Sequence, residues 1–162
     1  MKVLVVSDTH GKSAMLERAI EAEEPFDALI HCGDVEGQED YIEALVDCPV
    51  YMVAGNNDFF SDLDREIEVD LDGVRIMVTH GHYYGVSLEL NELADEAASR
   101  DIPLVLFGHT HRPVVCKIQG VTAMNPGSLS YPRQEGRAPS YLVLNIHEDG
   151  KFDGKIKYIK KW

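Results

Sequence analysis

The stretch VLVVSDTH (Val3–His10) decides how the chain is read: four apolar residues, too few for a helix, run straight into Ser, Asp, Thr and His. A short run rich in Val and Leu suits a strand buried on both faces. The carboxyl end of such a strand in an open α/β sheet is where functional sites assemble. The arrangement recurs along the chain. Ala28–His31 leads into Cys32-Gly33-Asp34, and Val50–Val53 into Ala54-Gly55-Asn56-Asn57-Asp58. Val74–Val78 leads into Thr79-His80-Gly81-His82, and Leu104–Phe107 into Gly108-His109-Thr110-His111.

Helical spacing fills the gaps between these runs. Met15, Leu16, Ala19 and Ile20 recur with that period before Pro25, and Tyr41, Ile42, Leu45 and Val46 repeat it before Pro49, which predicts two crossover helices. Leu90, Leu93, Ala94, Ala97 and Ala98 predict a third, with Ser87 as its N-cap. Asp72-Gly73 between Ile67–Leu71 and Val74–Val78 predicts a hairpin, as does Gln119-Gly120 between Val114–Ile118 and Val121–Met124. Tyr141–Ile146 and Lys155–Ile159 around Glu148-Asp149-Gly150 predict a closing one. The chain therefore reads as α/β, mixing βαβ units with antiparallel pairs. Without a repeat or linker, it reads as one domain over residues 1–162.

Composition narrows the function. A chain of 162 residues with 44% apolar content can bury one sizeable core. Its 15 Lys plus Arg against 28 Asp plus Glu give a formal charge of −13, which repels a nucleic-acid polymer unless a local cationic centre intervenes. No apolar run could span a bilayer, and the apolar start falls short of a signal-peptide core. The expectation is a cytoplasmic protein with no membrane partner. Cys32, Cys48 and Cys116 are odd in number and form no C-x-x-C, so they read as reduced packing residues. Five Lys and one Asp in residues 151–162 read as lysines blunting an exposed edge strand.

The residues at the strand ends are metal-ligand types. Asp8-x-His10 and His109-x-His111 have the spacing that, in extended chain, points both side chains to one face. Glycines before Asp34, Asn56 and His109 permit close backbone approach to an ion or phosphate. Carboxylate, amide oxygen and imidazole without thiolate favour Mn, Fe, Co, Ni or Zn over a cysteine-type structural zinc site.

The ordered series D-x-H (Asp8, His10), G-D (Gly33, Asp34), G-N (Gly55, Asn56), H-G-H at His80 and G-H-x-H (Gly108, His109, His111) resembles the calcineurin-like metallophosphoesterase superfamily. Asn125-Pro126-Gly127-Ser128 and Pro132-Arg133 resemble its small prokaryotic phosphodiesterase branch and extend the likeness to about residue 133. The resemblance implies a four-layer α/β/β/α sandwich of two mixed sheets. It implies two divalent metal ions: one held by Asp8, His10, Asp34 and His111, the other by Asn56, His80 and His109, with Asp34 bridging. The residues it implies as catalytic are Asp34, Asn56 and His80. It further implies hydrolysis of a small phosphodiester by a hydroxide bridging the ions.

Asn57, Asp58, His82, Ser128 and Arg133 are candidates to support the ligands or touch substrate, and Tyr83 and Tyr84 to line the mouth of the site. His31 reads as a packed or supporting residue and His147 as solvent-facing. Most of the superfamily has His after G-N as the presumed general acid; here Asn57 stands in that place. The chain is therefore expected to favour activated aryl diesters or strained cyclic diesters. Two other readings stand beside this one. The first is a non-catalytic protein-binding scaffold, as the same fold serves in the retromer sorting complex. The second is a nucleotide or nucleic-acid phosphodiesterase. A second copy of the chain is a further candidate partner.

Overall fold

The computed structural model describes residues 1–160. In chain order its elements are β1 (Lys2–Val6), α1 (Ala14–Glu23), β2 (Ala28–His31), α2 (Glu39–Leu45), β3 (Val50–Met52), β4 (Glu66–Leu71) and β5 (Val74–Thr79). Then come α3 (Asn91–Ser99), β6 (Leu104–Leu106), β7 (Val114–Ile118), β8 (Val121–Asn125), β9 (Ser140–Ile146) and β10 (Phe152–Tyr158). They form two five-stranded mixed sheets, ordered β10-β9-β1-β2-β3 and β4-β5-β6-β8-β7. β1, β2 and β3 are parallel, as are β5, β6 and β8.

Alternation along β1 explains the layering. Val3 and Val5 join Ile30, Ile76, Val78, Leu104, Leu106, Leu142 and Leu144 in a core fed by both sheets. Leu4 and Val6 point the other way, to Leu16, Ala19 and Ile20 of α1 and Ile42 of α2. On the far side, Met77, Val105 and Phe107 pack on Leu93, Ala94 and Ala97 of α3. The result is the expected α/β/β/α sandwich, in which the central runs Val3–Val6, Ala28–Ile30 and Leu104–Leu106 are apolar because both faces are covered.

Asp72 and Gln119, at φ +51° and +53°, give both short hairpins the left-handed turn residues their two-residue loops require. Two expectations need correction. The third helix begins at Asn91, and Ser87 is exposed in the preceding turns; Leu90 occupies the N-cap position without a side-chain bond. The closing hairpin begins at Phe152, which pairs with Ile146, because Gly154 belongs inside β10 and not to a turn. A Cβ at Gly154 would stand 2.5 Å from the Met124 sulfur, so the glycine permits a close approach between the sheets. Lys155 and Lys157 do lie on β10, an edge strand; Lys161 falls outside the described residues. All three cysteines are unpaired thiols.

Candidate metal centre

Five strand ends converge, three from one sheet and two from the other. Asp8 and His10 follow β1, Asp34 follows β2, Asn56 follows β3, His80 follows β5, and His109 and His111 follow β6. Backbone bonds stitch these ends together. Asp8 N–H donates to the Gly33 carbonyl at 3.0 Å, His10 N–H to that of Asp34 at 2.9 Å, and Gly108 N–H to that of His80 at 3.1 Å.

The side chains fall into two groups. In the first, ligand atoms of Asp8, His10, Asp34 and His111 all lie within 4.8 Å of one another. His111 Nε2 is 3.2 Å from Asp8 Oδ1 and 3.1 Å from His10 Nε2. In the second, Asn56 Oδ1 is 3.0 Å from His80 Nε2 and 3.2 Å from His109 Nδ1. Asp34 Oδ2 faces both groups, 3.6 Å from His10 Nε2 and 3.4 Å from His80 Nε2. All seven residues that the sequence singled out as ligands are thus brought together.

Three of the four imidazoles are aimed from behind. His80 Nδ1 meets the Cys32 carbonyl and His111 Nδ1 the Tyr131 carbonyl, each at 2.7 Å, while His10 Nδ1 meets Glu36 Oε2 at 2.9 Å. An acceptor behind one ring nitrogen fixes the proton there and leaves Nε2 free as a ligand. Glu36 and the two carbonyls escaped the sequence reading; only the nearness of Glu36 to Asp34 hinted at its role.

A cation fits this donor set. Asp8 is fully buried, yet its Oδ1 accepts no hydrogen bond, which is costly for a carboxylate oxygen unless something positive satisfies it. His80 Nε2 and His10 Nε2 each stand 3.7 Å from that same oxygen. Burial alone would raise the Asp34 and Asp8 carboxyls, but their histidine partners outweigh it and hold both below the ordinary range. The His80 imidazole is opposed by burial and nevertheless held up by Asp34 and Asp8. Burial, then the neighbouring His80, pushes His109 down.

The supporting candidates do different work from that expected. Asp8, His10, His109 and His111 have φ of +53°, +50°, +72° and +60°, so the pairs at i and i+2 are not extended chain. Asp8 and His10 nevertheless share one group, while His109 and His111 enter different ones. Asn57 donates its N–H to Asp34 Oδ1 at 2.9 Å and its Nδ2–H to Asp34 Oδ2 at 3.1 Å. Asp58 accepts N–H groups from Asp34, Val35, Glu36 and Gly55. Ser128 is fully buried, donating to the Asp8 carbonyl at 2.8 Å and accepting from Tyr131 N–H; it braces the loop and does not face the opening.

Arg133 is exposed on the wall of a cleft of about 810 Å³ beside His10 and His111. His82 packs its ring 5.4 Å from that of His80 while its own Nδ1 is unbonded, so it contacts the ligand without orienting it by a hydrogen bond. Tyr83 is exposed next to Asn56 and His82, whereas Tyr84 turns away to Glu66. His31 is buried against Thr9, and His147 is exposed and paired with Asp153.

Residues 1–149 match the calcineurin-like phosphoesterase superfamily domain. The probable metallophosphoesterase YsnB of Bacillus subtilis is 34% identical over 150 residues, covering 92% of this chain and 86% of its own. The phosphodiesterase MJ0936 of Methanocaldococcus jannaschii is 30% identical, covering 78% and 83%. In fold, the crystal structure of wild-type Vps29 complexed with Zn2+ from Entamoeba histolytica superposes with a TM-score of 0.76 at 22% identity. The match covers 98% of this chain and 99% of that one.

Proposed function

The chain belongs to the calcineurin-like phosphoesterase superfamily, and we propose that it is a metal-dependent hydrolase of small phosphodiesters. We assign Asp8, His10, Asp34 and His111 to one divalent ion and Asn56, His80 and His109 to a second, with Asp34 shared and Mn, Ni, Fe, Co or Zn as suitable metals. The observation that carries this reading is the position of Asp34 Oδ2 between His10 and His80. A carboxylate there can neutralise and space two cations. When bound, such a pair supplies an activated water and charge stabilisation for phosphate oxygens.

The chain's own residues prepare that chemistry. Asp8 and Asp34 stay ionised, the form a cation binds, and Asn57 holds Asp34 from the side of the loop after β3. Two divalent ions against two carboxylates leave a net positive centre inside a chain of charge −13, which attracts an anionic diester. The name of the archaeal relative favours diesters over monoesters.

A scaffold role is the second reading, favoured by the fold likeness to Vps29. Three imidazoles aimed from behind and an unsatisfied Asp8 oxygen serve no scaffold need, so the hydrolase reading is preferred. Among the described residues no helix is long and apolar enough to cross a membrane, and a cytoplasmic location is proposed on that basis.

Elemental analysis after reconstitution, paired with turnover of bis(4-nitrophenyl) phosphate with and without chelator, tests the reading. Two divalent ions per chain and loss of turnover on chelation are expected. One ion or none, or full turnover in excess chelator, would overturn it.

A further inference from the structure

We propose that the cleft beside the candidate centre binds a second phosphate group, so that the preferred substrate is a phosphodiester whose far arm ends in a phosphate. The proposal rests on the hydrolase reading above and narrows its substrate class.

The cleft of about 810 Å³ has His10 and His111 on one wall and Arg112, Arg133 and Arg137 on the others. Among the described residues none of these three arginines has a carboxylate within ion-pair distance, whereas Arg75 is paired with Glu68 and Arg100 with Glu66, Glu68 and Glu96; Arg18 and Arg65 also lack one, but they bind the Lys160 carbonyl and the Tyr83 ring and lie outside the cleft. In a chain with 28 acidic residues and 15 basic ones, three guanidinium groups without a carboxylate partner converge on one cavity. One acid, Glu36, also lines the cleft and lies 2.9 Å from His10 Nδ1; three guanidinium charges against this one carboxylate leave the wall net positive. A concave wall of net positive charge focuses its field into the cavity.

The arginines are positioned by the loops that carry the centre. Arg112 directly follows His111, and Arg133 donates its backbone N–H to the His111 carbonyl at 3.0 Å. The scissile phosphate has its own attractor in the cations assigned to the centre, so these arginines serve a different anion. A guanidinium fork fits phosphate oxygens in a bidentate manner, and three positive charges match a terminal phosphate dianion better than a single carboxylate. Tyr131, exposed in the same cleft, has its ring against His10 and its carbonyl on His111. The ligand residues His10 and His111 thus share one cavity with the three arginines, as a substrate that spans both requires.

The test compares two esters that release the same nitrophenolate: the 4-nitrophenyl ester of thymidine 5′-phosphate, and the same ester carrying a 3′-phosphate. We expect kcat/KM to favour the second by about tenfold or more in the native protein, chiefly through KM, as an interaction present before the chemical step requires. In the combined variant Arg112→Gln, Arg133→Gln, Arg137→Gln the ratio should fall to about one. The corresponding Arg→Lys variant should retain part of it, because charge survives while the fork is lost.

All three positions are exposed, so folding should survive; each single Arg→Gln variant, which should lower the ratio in part, provides the same readout otherwise. Calorimetry with thymidine 3′,5′-bisphosphate and thymidine 5′-monophosphate gives an arm independent of turnover, with the bisphosphate expected to bind tighter only when the arginines are present. A native ratio of one or less, or a ratio that survives in the Gln variant, would overturn the proposal. Hydrolysis of neither ester, with the bisphosphate preference intact, would uphold the phosphate-binding cleft and overturn the hydrolase reading instead.

Discussion

Asp58 accepts the backbone N–H of Asp34 on Oδ2 at 2.9 Å, so the loop after β3 fixes the loop after β2. The same carboxylate takes the N–H groups of Val35, Glu36 and Gly55, the last at 2.7 Å. A residue that binds no ligand atom of the centre thereby sets where two of its ligands, Asp34 and Asn56, can stand.

Asp58→Ala should therefore destabilise the protein and weaken metal binding together. Partly buried N–H groups lose their acceptor, and an unsatisfied donor costs about 1–3 kcal/mol when buried; a total of about 2–4 kcal/mol is expected. Asp58→Asn keeps one acceptor oxygen and should lose less. Chemical denaturation and metal titration check both, and an unchanged metal affinity in Asp58→Ala would contradict the clamp.

Asn57 is bound to Asp34 through both its backbone and its side-chain amide. Substituting Asn57→His removes the amide donor that stabilises Asp34, and turnover should fall by a similar factor for every leaving group. Rates across a series of aryl and alkyl esters give the answer. A selective rise on poor leaving groups, with a new pH limb near the ordinary histidine pKa of roughly 6.5, would instead mark position 57 as the place of a missing general acid.

Asp34 faces both ligand groups, whereas His111 belongs to one. At saturating metal, Asp34→Asn should lose more turnover than His111→Gln, and it should lower the occupancy of both ions while His111→Gln lowers one. Asp8→Asn should weaken the ion assigned to Asp8 and spare the other, and its combination with Asp34→Asn should be non-additive. Equal or reversed losses for Asp34 and His111 would contradict the shared position of Asp34.

Gly55 has no room for a side chain: a Cβ there would collide with Asp34 Oδ1 and stand 2.5 Å from the Asp34 nitrogen. Gly55→Ala should cost about 1–3 kcal/mol, as overpacking does, and displace Asp34 enough to depress metal affinity. Thermal unfolding with and without metal measures both, and the stabilisation that metal confers by binding the folded state should shrink. Native-like stability and affinity would show that the two loops separate easily.

His31 makes stability depend on pH. Gly33 N–H donates to its Nδ1 at 3.1 Å, so the ring proton sits on Nε2 and is donated to Thr9 Oγ1 at 2.9 Å. Burial above all pushes this imidazole down from 6.5 to about 4. The unfolded chain thus takes up a proton first as pH falls. The contribution is complete above about 6.5 and is lost between 6.5 and about 4, at roughly 1.4 kcal/mol per pH unit. Denaturation of chelator-treated protein across that window should show the slope, and His31→Gln should make it shallower, with a remainder from His82, which burial also lowers to about 4. An equally steep slope in the variant would place the titrating group elsewhere.

The strands, the helices and the ligand inventory were legible because their signals are short-range; the stacking of two sheets into a sandwich was implied only by the family resemblance. Four apolar residues in a row, a 3.6-residue period and a two-residue turn act over a few bonds, so the residues of β1 to β3 declare themselves wherever the chain later goes. The seven ligand-type side chains announced themselves by standing at the ends of such runs. Which atom faces which was not legible. His109 and His111 are two residues apart but face different groups, whereas Asp8 and His10, with the same spacing and the same left-handed backbone, share one. Ser128 turns inward beneath Asp8, Asn57 turns to Asp34, and Arg112, Arg133 and Arg137 share a cleft through the bond between His111 and Arg133. Each outcome depends on backbone hydrogen bonds to strands and loops distant in sequence. Only packing the two sheets together brings those partners within reach.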